Sequence, residues 1–148
     1  MDKNTPSVSL SITVKDGNAA LEFYKKAFGA EVILLMPDPG GGVAHSEMMI
    51  GNSKVYLSDE SPEWHAKAMP EGTQASCLFA IATEDCDAAF KRAVDAGGKP
   101  LREPENQFWG VRESMILDPF GYRWSLGQMV EEVSPEEFAR RAKELFGG

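Results

Sequence analysis

The sequence repeats itself. At an offset of 69 residues, Leu10 meets Phe79, Ile12 meets Ile81, Ala19-Ala20 meets Ala88-Ala89, Leu21 meets Phe90 and Gly29 meets Gly98. A repeat constrains the fold more than any single element, because each copy must bury its apolar face in the same way. Each copy reads as strand, helix, strand, strand, strand. Residues 8–14 alternate polar and apolar, with Leu10, Ile12 and Val14 facing one way and Ser9, Ser11 and Thr13 the other. Period two marks a strand with one packed face. Asp16-Gly17-Asn18 offers capping side chains for a helix over 18–28, packed through Ala20, Tyr24, Ala27 and Phe28. Gly29 supplies a left-handed stop. Strands follow over 31–36, 43–50 and 54–58, with a loop at 37–42 and a tight Gly51-Asn52-Ser53 turn.

The second copy begins with a strand over 75–83, in which Cys77, Phe79 and Ile81 oppose Ser76, Leu78 and Ala80. Asp85-Cys86-Asp87 opens a helix through about Ala96, closed by Gly97-Gly98. A short strand over 99–102, a loop over 103–110, a strand over 111–117, an Asp118-Pro119-Phe120-Gly121 turn and a last strand over 122–126 complete it. The hairpin turns match at an offset of 68, setting Tyr56 against Trp124 and Leu57 against Ser125. Module one thus spans 7–59, a connector holding Trp64 and His65 spans 60–73 with room for a short helix, and module two spans 74–130. Ser134-Pro135-Glu136-Glu137 starts a C-terminal helix over 134–146, with Ser134 as cap and Glu137 completing a capping box. It stops at Gly147-Gly148, and its Phe138, Ala142 and Leu145 stripe would dock on the body or on a second subunit.

Composition narrows the function classes. The chain has 23 Asp+Glu against 15 Lys+Arg, a net charge of −8. An acidic surface repels phosphate backbones, so nucleic acid is not an expected partner. The longest apolar run, 32–36, falls far short of the ~20 residues that span a bilayer, and the first residues lack a signal-peptide layout. No membrane association and a cytoplasmic location are therefore expected, with Cys77 and Cys86 as reduced thiols.

The tandem module, together with Ala20-Leu21-Glu22-Phe23-Tyr24-Lys25-Lys26-Ala27-Phe28-Gly29-Ala30, His45-Ser46-Glu47, Phe108-Trp109-Gly110-Val111-Arg112 and Asp118-Pro119-Phe120-Gly121-Tyr122-Arg123-Trp124, resembles the vicinal oxygen chelate superfamily. That superfamily includes glyoxalase I, extradiol dioxygenases, fosfomycin-resistance enzymes and bleomycin-binding proteins. The motifs look like its PhnB-like branch, with Tyr122 standing where relatives often carry histidine. The resemblance implies an α+β fold: one domain of tandem βαβββ modules forming an open mixed sheet, a half-barrel around a cavity, plus the C-terminal helix. It also implies a homodimer.

Metal-dependent members hold a divalent ion with ligands on the first and last strand of each module. The matching positions are Ser9, Leu57, Leu78 and Ser125. Two leucines cannot coordinate and two neutral serines are weak ligands, so no metal and no other cofactor is expected. The cavity centre would be neutral and mildly polar. His45 and Glu47, two apart on one strand, share a face and are the candidates for acid–base work. Phe108, Trp109 and Arg112 sit where a loop enters a strand, and the repeat places Arg112 near the counterpart of His45. An aromatic wall with a cation and a carboxylate suits a planar or anionic small molecule.

Other motifs fail. Gly40-Gly41-Gly42 is followed by no Lys-Ser/Thr and no helix, so it is no phosphate loop. Cys86 lies near a helix start, but Asp85 and Asp87 oppose a lowered thiol pKa, and a packed thiol is expected. The leading expectation is a metal-free protein binding a small-molecule ligand through Phe108, Trp109, Arg112, His45, Glu47 and Ser125. The alternatives are a glyoxalase-like lyase or isomerase using His45 and Glu47, and a scaffold with a filled cavity.

Overall fold

β1 (Leu10–Val14) lies parallel to β4 (Ser53–Asp59), although a helix and two strands separate them in the chain. The antiparallel ladders of β2 (Glu31–Pro37) with β3 (Val43–Ile50), and of β3 with β4, bring them together in the order β1-β4-β3-β2. The same plan recurs in β5 (Leu78–Ala82), β6 (Lys99–Asn106), β7 (Val111–Leu117) and β8 (Arg123–Met129), ordered β5-β8-β7-β6. Helix α1 (Gly17–Phe28) packs on β1, β3 and β4, and α2 (Cys86–Asp95) on β6, β7 and β8. This computed structural model describes residues 2–147, and the chain divides between Gln74 and Ala75 into two units, one per sheet. Two mixed four-stranded sheets with three helices make an α+β fold. Gly148, the second half of the expected C-terminal stop, lies outside the described residues.

The local causes repeat with the topology. Asp16 and Asp85 cap α1 and α2, each accepting a 3.0 Å bond from the backbone three residues on. Gly29 ends α1 at φ 67°, where only glycine is unstrained. In the first unit Ile12, Val14, Ala20, Tyr24, Met48 and Leu57 are buried between α1 and its sheet. Phe28 is only half-buried, stacked 6.0 Å from the Tyr24 ring. In the second unit Phe90, Ala93, Ile116, Trp124 and Leu126 form the equivalent layer. The turn before β8 is closed by buried Asp118, which accepts from Phe120 N at 2.9 Å, Tyr122 N at 3.0 Å and Trp124 Nε1 at 2.8 Å.

Several expectations change, beginning with the strand expected over 75–83, which is Leu78–Ala82 and leaves Cys77 exposed outside it. The segment 103–106 is strand, not loop, because β6 is an edge: Pro100 and Pro104 lack an N–H that an edge strand need not donate. The last strand continues to Met129, carried by its pairing with Val111. The hairpin offset is 69, not 68. Leu10 pairs with Val55 and Phe79 with Trp124, so Val55 is the counterpart of Trp124, and Leu57 that of Leu126. A one-residue slip turns a strand over: Leu57 is wholly buried in the helix-side layer, and Tyr56 and Ser58 take the other face.

The third helix, α3 (Pro135–Phe146), begins as read, with Ser134 Oγ accepting from Glu137 N at 3.2 Å. The Glu137 carboxylate does not complete the box; it binds Arg140 at 2.7 Å and Arg141 at 2.8 Å. Arg141 in turn donates to the Phe108 carbonyl at 3.1 Å and pairs with Glu131 at 2.6 Å, and the Phe138 ring lies 5.2 Å from that of Phe108. The helix therefore docks on its own unit.

Two outcomes follow from these contacts. Asp59 accepts from Gly17 N at 2.6 Å and Val43 N at 3.1 Å, so Asp59→Ala strands two part-buried donors. It should cost about 1–3 kcal/mol, read from the urea midpoint; an unmoved midpoint would show that water replaces the carboxylate. Arg140 and Arg141 hold Glu137 down from 4.5 to about 2. A depressed folded pKa stabilises above the unfolded value and ceases to do so below the folded one. The midpoint difference between the wild type and Glu137→Gln should therefore be full at neutral pH and vanish as pH falls from about 4.5 towards about 2. A difference that persists under acid would assign the effect to packing.

Candidate functional site

Each sheet has a helix-covered face and an open face, and β-strand alternation sorts the candidate residues between them. On β3, Ser46, Met48 and Ile50 are buried on the α1 side, which sends His45, Glu47 and Met49 to the open face. Glu47 stands in register with Tyr56, whose ring lies 5.6 Å from that of His45. His45 Nε2 is 3.6 Å from Glu47 Oε1, and Glu47 Oε2 pairs with Lys54 Nζ at 2.6 Å. Lys54 above all, and His45 after it, hold the Glu47 carboxyl below its usual range, while Glu47 raises Lys54. The carboxylate is thus a fixed anion at neutral pH, not a proton donor tuned toward neutrality.

Beside His45 the first unit contains a cavity of about 660 Å³. Ser11 and Thr13 of β1, Ser58 of β4, Met36 of β2 and Trp64 of the connector line it with His45. Asp38, Asp59 and Glu60 make its border acidic. All three acids are already engaged with backbone: Asp38 accepts from Gly40 N at 2.7 Å and Gly42 N at 2.9 Å, Asp59 from Gly17 and Val43, and Glu60 from Ala68 N at 2.9 Å. Trp64 is 82% exposed. It ends a single 3-10 turn, Pro62–Trp64, closed by His65 at φ 54°, the one non-glycine residue at positive φ among those described. Reciprocal 3.0 Å backbone bonds between Ser61 and Ala66 pin the loop. No sequence motif marks Trp64; the only signal is a tryptophan held in a proline-bearing connector.

The second unit treats its candidates differently. Arg112 shares the α2 side of β7 with buried Ser114 and Ile116. Its guanidinium grips Asp87 on α2, Nε to Oδ2 at 2.6 Å and Nη2 to Oδ1 at 2.8 Å, and donates to Asn106 at 3.1 Å. Because Ser46 pairs with Leu57 and Ser114 with Leu126, the counterpart of His45 is Glu113. Arg112 therefore occupies the face opposite to the one His45 uses, which corrects the expectation that the two look the same way. Phe108 packs against Phe138 and Phe146 of α3, at 5.2 and 6.1 Å, and serves as that helix's seat. Trp109 borders a separate hollow of about 520 Å³ with Met129 and Val133. Ser125 alone of the second-unit candidates lies on the open face, nearly buried and in register with Met115 and Ala80. Cys86 is fully buried, its thiol donating to the Leu126 carbonyl at 3.2 Å.

The family's metal-ligand positions fare no better as donors than in the sequence. With the corrected register the open-face position on β4 is Tyr56 rather than Leu57, giving Ser9, Tyr56, Leu78 and Ser125, a neutral set that does not fit a divalent cation. Among the described residues no three His, Cys, Asp or Glu side chains gather closely enough to hold a metal ion. None of the described helices is long and apolar enough to cross a membrane.

Comparison with known proteins places this geometry. Residues 7–126 match the family model of the Glyoxalase/Bleomycin resistance protein/Dioxygenase superfamily. An uncharacterized protein of Mycobacterium bovis is 36% identical over 137 residues, covering 89% of both chains. The anthracycline biosynthesis protein DnrV of Streptomyces peucetius is 32% identical over 128 residues, 80% of this chain and 40% of that one. The solved structure of a gene product from Arabidopsis thaliana superimposes with a TM-score of 0.67 at 25% identity, over 82% of this chain and 98% of the other. Twin βαβββ units, the matched family model and these relatives lead to one conclusion: the chain belongs to the glyoxalase/bleomycin resistance protein/dioxygenase superfamily.

Proposed function

We propose that this chain binds a small organic molecule against the open face of its first sheet, without a metal. The observation that carries the reading is the cavity of about 660 Å³ that His45 lines together with the exposed indole of Trp64. A pocket of several hundred Å³ with apolar walls and a few convergent polar groups is the usual form of a small-molecule site. Trp64 and Met36 supply apolar surface that is costly to leave wet. Ser11, Thr13 and His45 supply orientation through hydrogen bonds. The acidic border disfavours an anionic ligand here and favours a neutral or cationic aromatic one, since a cation over an indole gains from the ring quadrupole. A relative named for anthracycline biosynthesis is in keeping with a small-molecule role.

The acid–base reading of His45 and Glu47 gains nothing from the geometry, because Lys54 keeps Glu47 ionised. The filled-scaffold reading is disfavoured by the open cavity.

A thermal-shift screen of neutral and cationic aromatic compounds, followed by titration of tryptophan fluorescence, tests the proposal. His45→Ala and Trp64→Ala should each weaken a hit about tenfold or more, equivalent to ~1.4 kcal/mol. Arg112→Ala and Trp109→Ala should leave the affinity within about threefold. Loss of binding in folded Arg112→Ala with full binding in Trp64→Ala would move the site to the second unit and defeat the reading.

A further inference from the structure

The second sheet carries two polar groups with nothing to hold. On β8, Trp124 and Leu126 are buried on the α2 side, so Arg123 and Ser125 stand together on the open face. The Arg123 side chain has no hydrogen-bond or ion-pair partner among the described residues, and its Nε is sealed from solvent while unsatisfied. A buried guanidinium N–H without an acceptor is a costly arrangement. Ser125 is only 6% exposed, and no described residue hydrogen-bonds its hydroxyl.

The surroundings explain why no acid neutralises Arg123. The nearest in sequence, Asp118, is turned to Trp124 Nε1 and the turn N–H groups. Arg123 stands in register with Leu78 and Leu117, and Ser125 with Ala80 and Met115, so no carboxylate flanks either. One strand further, exposed Lys99 and Arg102 pair with Leu117 and Met115, adding cationic charge to the same two rows. Glu113 is set against Gly127, one row beyond Ser125 and away from Arg123.

We infer that Arg123 and Ser125 form an oxyanion-binding site, in which the guanidinium holds a carboxylate or phosphate group and the Ser125 hydroxyl donates to the same group. Two residues apart on a strand, their Cα atoms are about 6.5–7 Å apart, within the span of a long arginine side chain and one bridging anion. Arginine's planar fork matches either oxyanion, and the terminal Nη groups, unlike the sealed Nε, are open to make the charge-assisted bonds. The inference rests on the second sheet alone and is independent of the pocket beside His45.

Titration of the 15N-labelled protein with sodium phosphate, and in a second arm with sodium acetate, each against sodium chloride at matched ionic strength, decides it. The Arg123 Nε–H resonance of the wild type, and the backbone amide resonances of residues 123–125 in every variant, should shift saturably with at least one oxyanion. Ser125→Ala should raise the apparent Kd at least threefold and Arg123→Lys at least tenfold, while Arg112→Gln leaves it unchanged. Saturation by phosphate alone assigns a phosphorylated ligand, by acetate alone a carboxylate, and by both the shared chemistry. Shifts no larger than those with chloride, or saturation unaltered in Ser125→Ala and Arg123→Lys, overturn the assignment. If Arg123→Lys does not fold, the wild type and Ser125→Ala suffice.

Discussion

The first N–H of a helix has no partner within the helix, and in this fold the last strand of each sheet provides one. Gly17 N donates to Asp59 Oδ1 at 2.6 Å, and Cys86 N donates to Gln128 Oε1 at 3.0 Å. The donors are 69 residues apart and so are the acceptors. Each bond ties the entrance of a helix to the end of the strand that lies parallel to β1 or β5. Register, helix position and the division of the sheet into two faces all depend on that clamp. In the first unit the acceptor is charged and also takes Val43 N, fastening β3 as well. A charged acceptor at a helix start is further favoured by the helix dipole.

What the clamp separates is stability from chemistry. Residues on the helix side are apolar or saturated: Ser46 donates to the Leu57 carbonyl at 2.8 Å, and Arg112 is held by Asp87. The open faces differ between units. The first shows His45 beside an anionic pair partner and an acidic border; the second shows Arg123 with leucines on either side. Twin backbones therefore present unlike electrostatic surfaces.

Much of this is legible in the sequence, for identifiable reasons. Glycine stops, aspartate caps and period-two alternation act over a few residues, so the order of elements and both helices can be read directly. Register cannot, because it is a long-range match. Aligning the hairpins on Tyr56 and Trp124, both aromatic, costs one residue, and with period two that error moves Leu57 to the wrong face and sets Arg112 beside His45. The Phe108-Trp109 pair is hidden differently: its partner rings come from α3, some 30 residues downstream. Trp64 and Arg123 are ordinary letters in the sequence, and become notable only when one is found exposed in a pinned loop and the other with its Nε sealed from solvent and without an acceptor.

The saturated Asp-Pro-Phe-Gly turn has an evolutionary corollary. Asp118 satisfies its own loop and anchors Trp124 from the helix side, so the side chains of Arg123 and Ser125 take no part in holding that turn. Positions 123 and 125 can then change their chemistry without loosening the turn that presents them, whereas a side chain at Gly127 would crowd Val111. A lineage built on this plan can exchange one specificity for another by drifting along a single strand, while duplication has already supplied a second strand on which to try the same experiment.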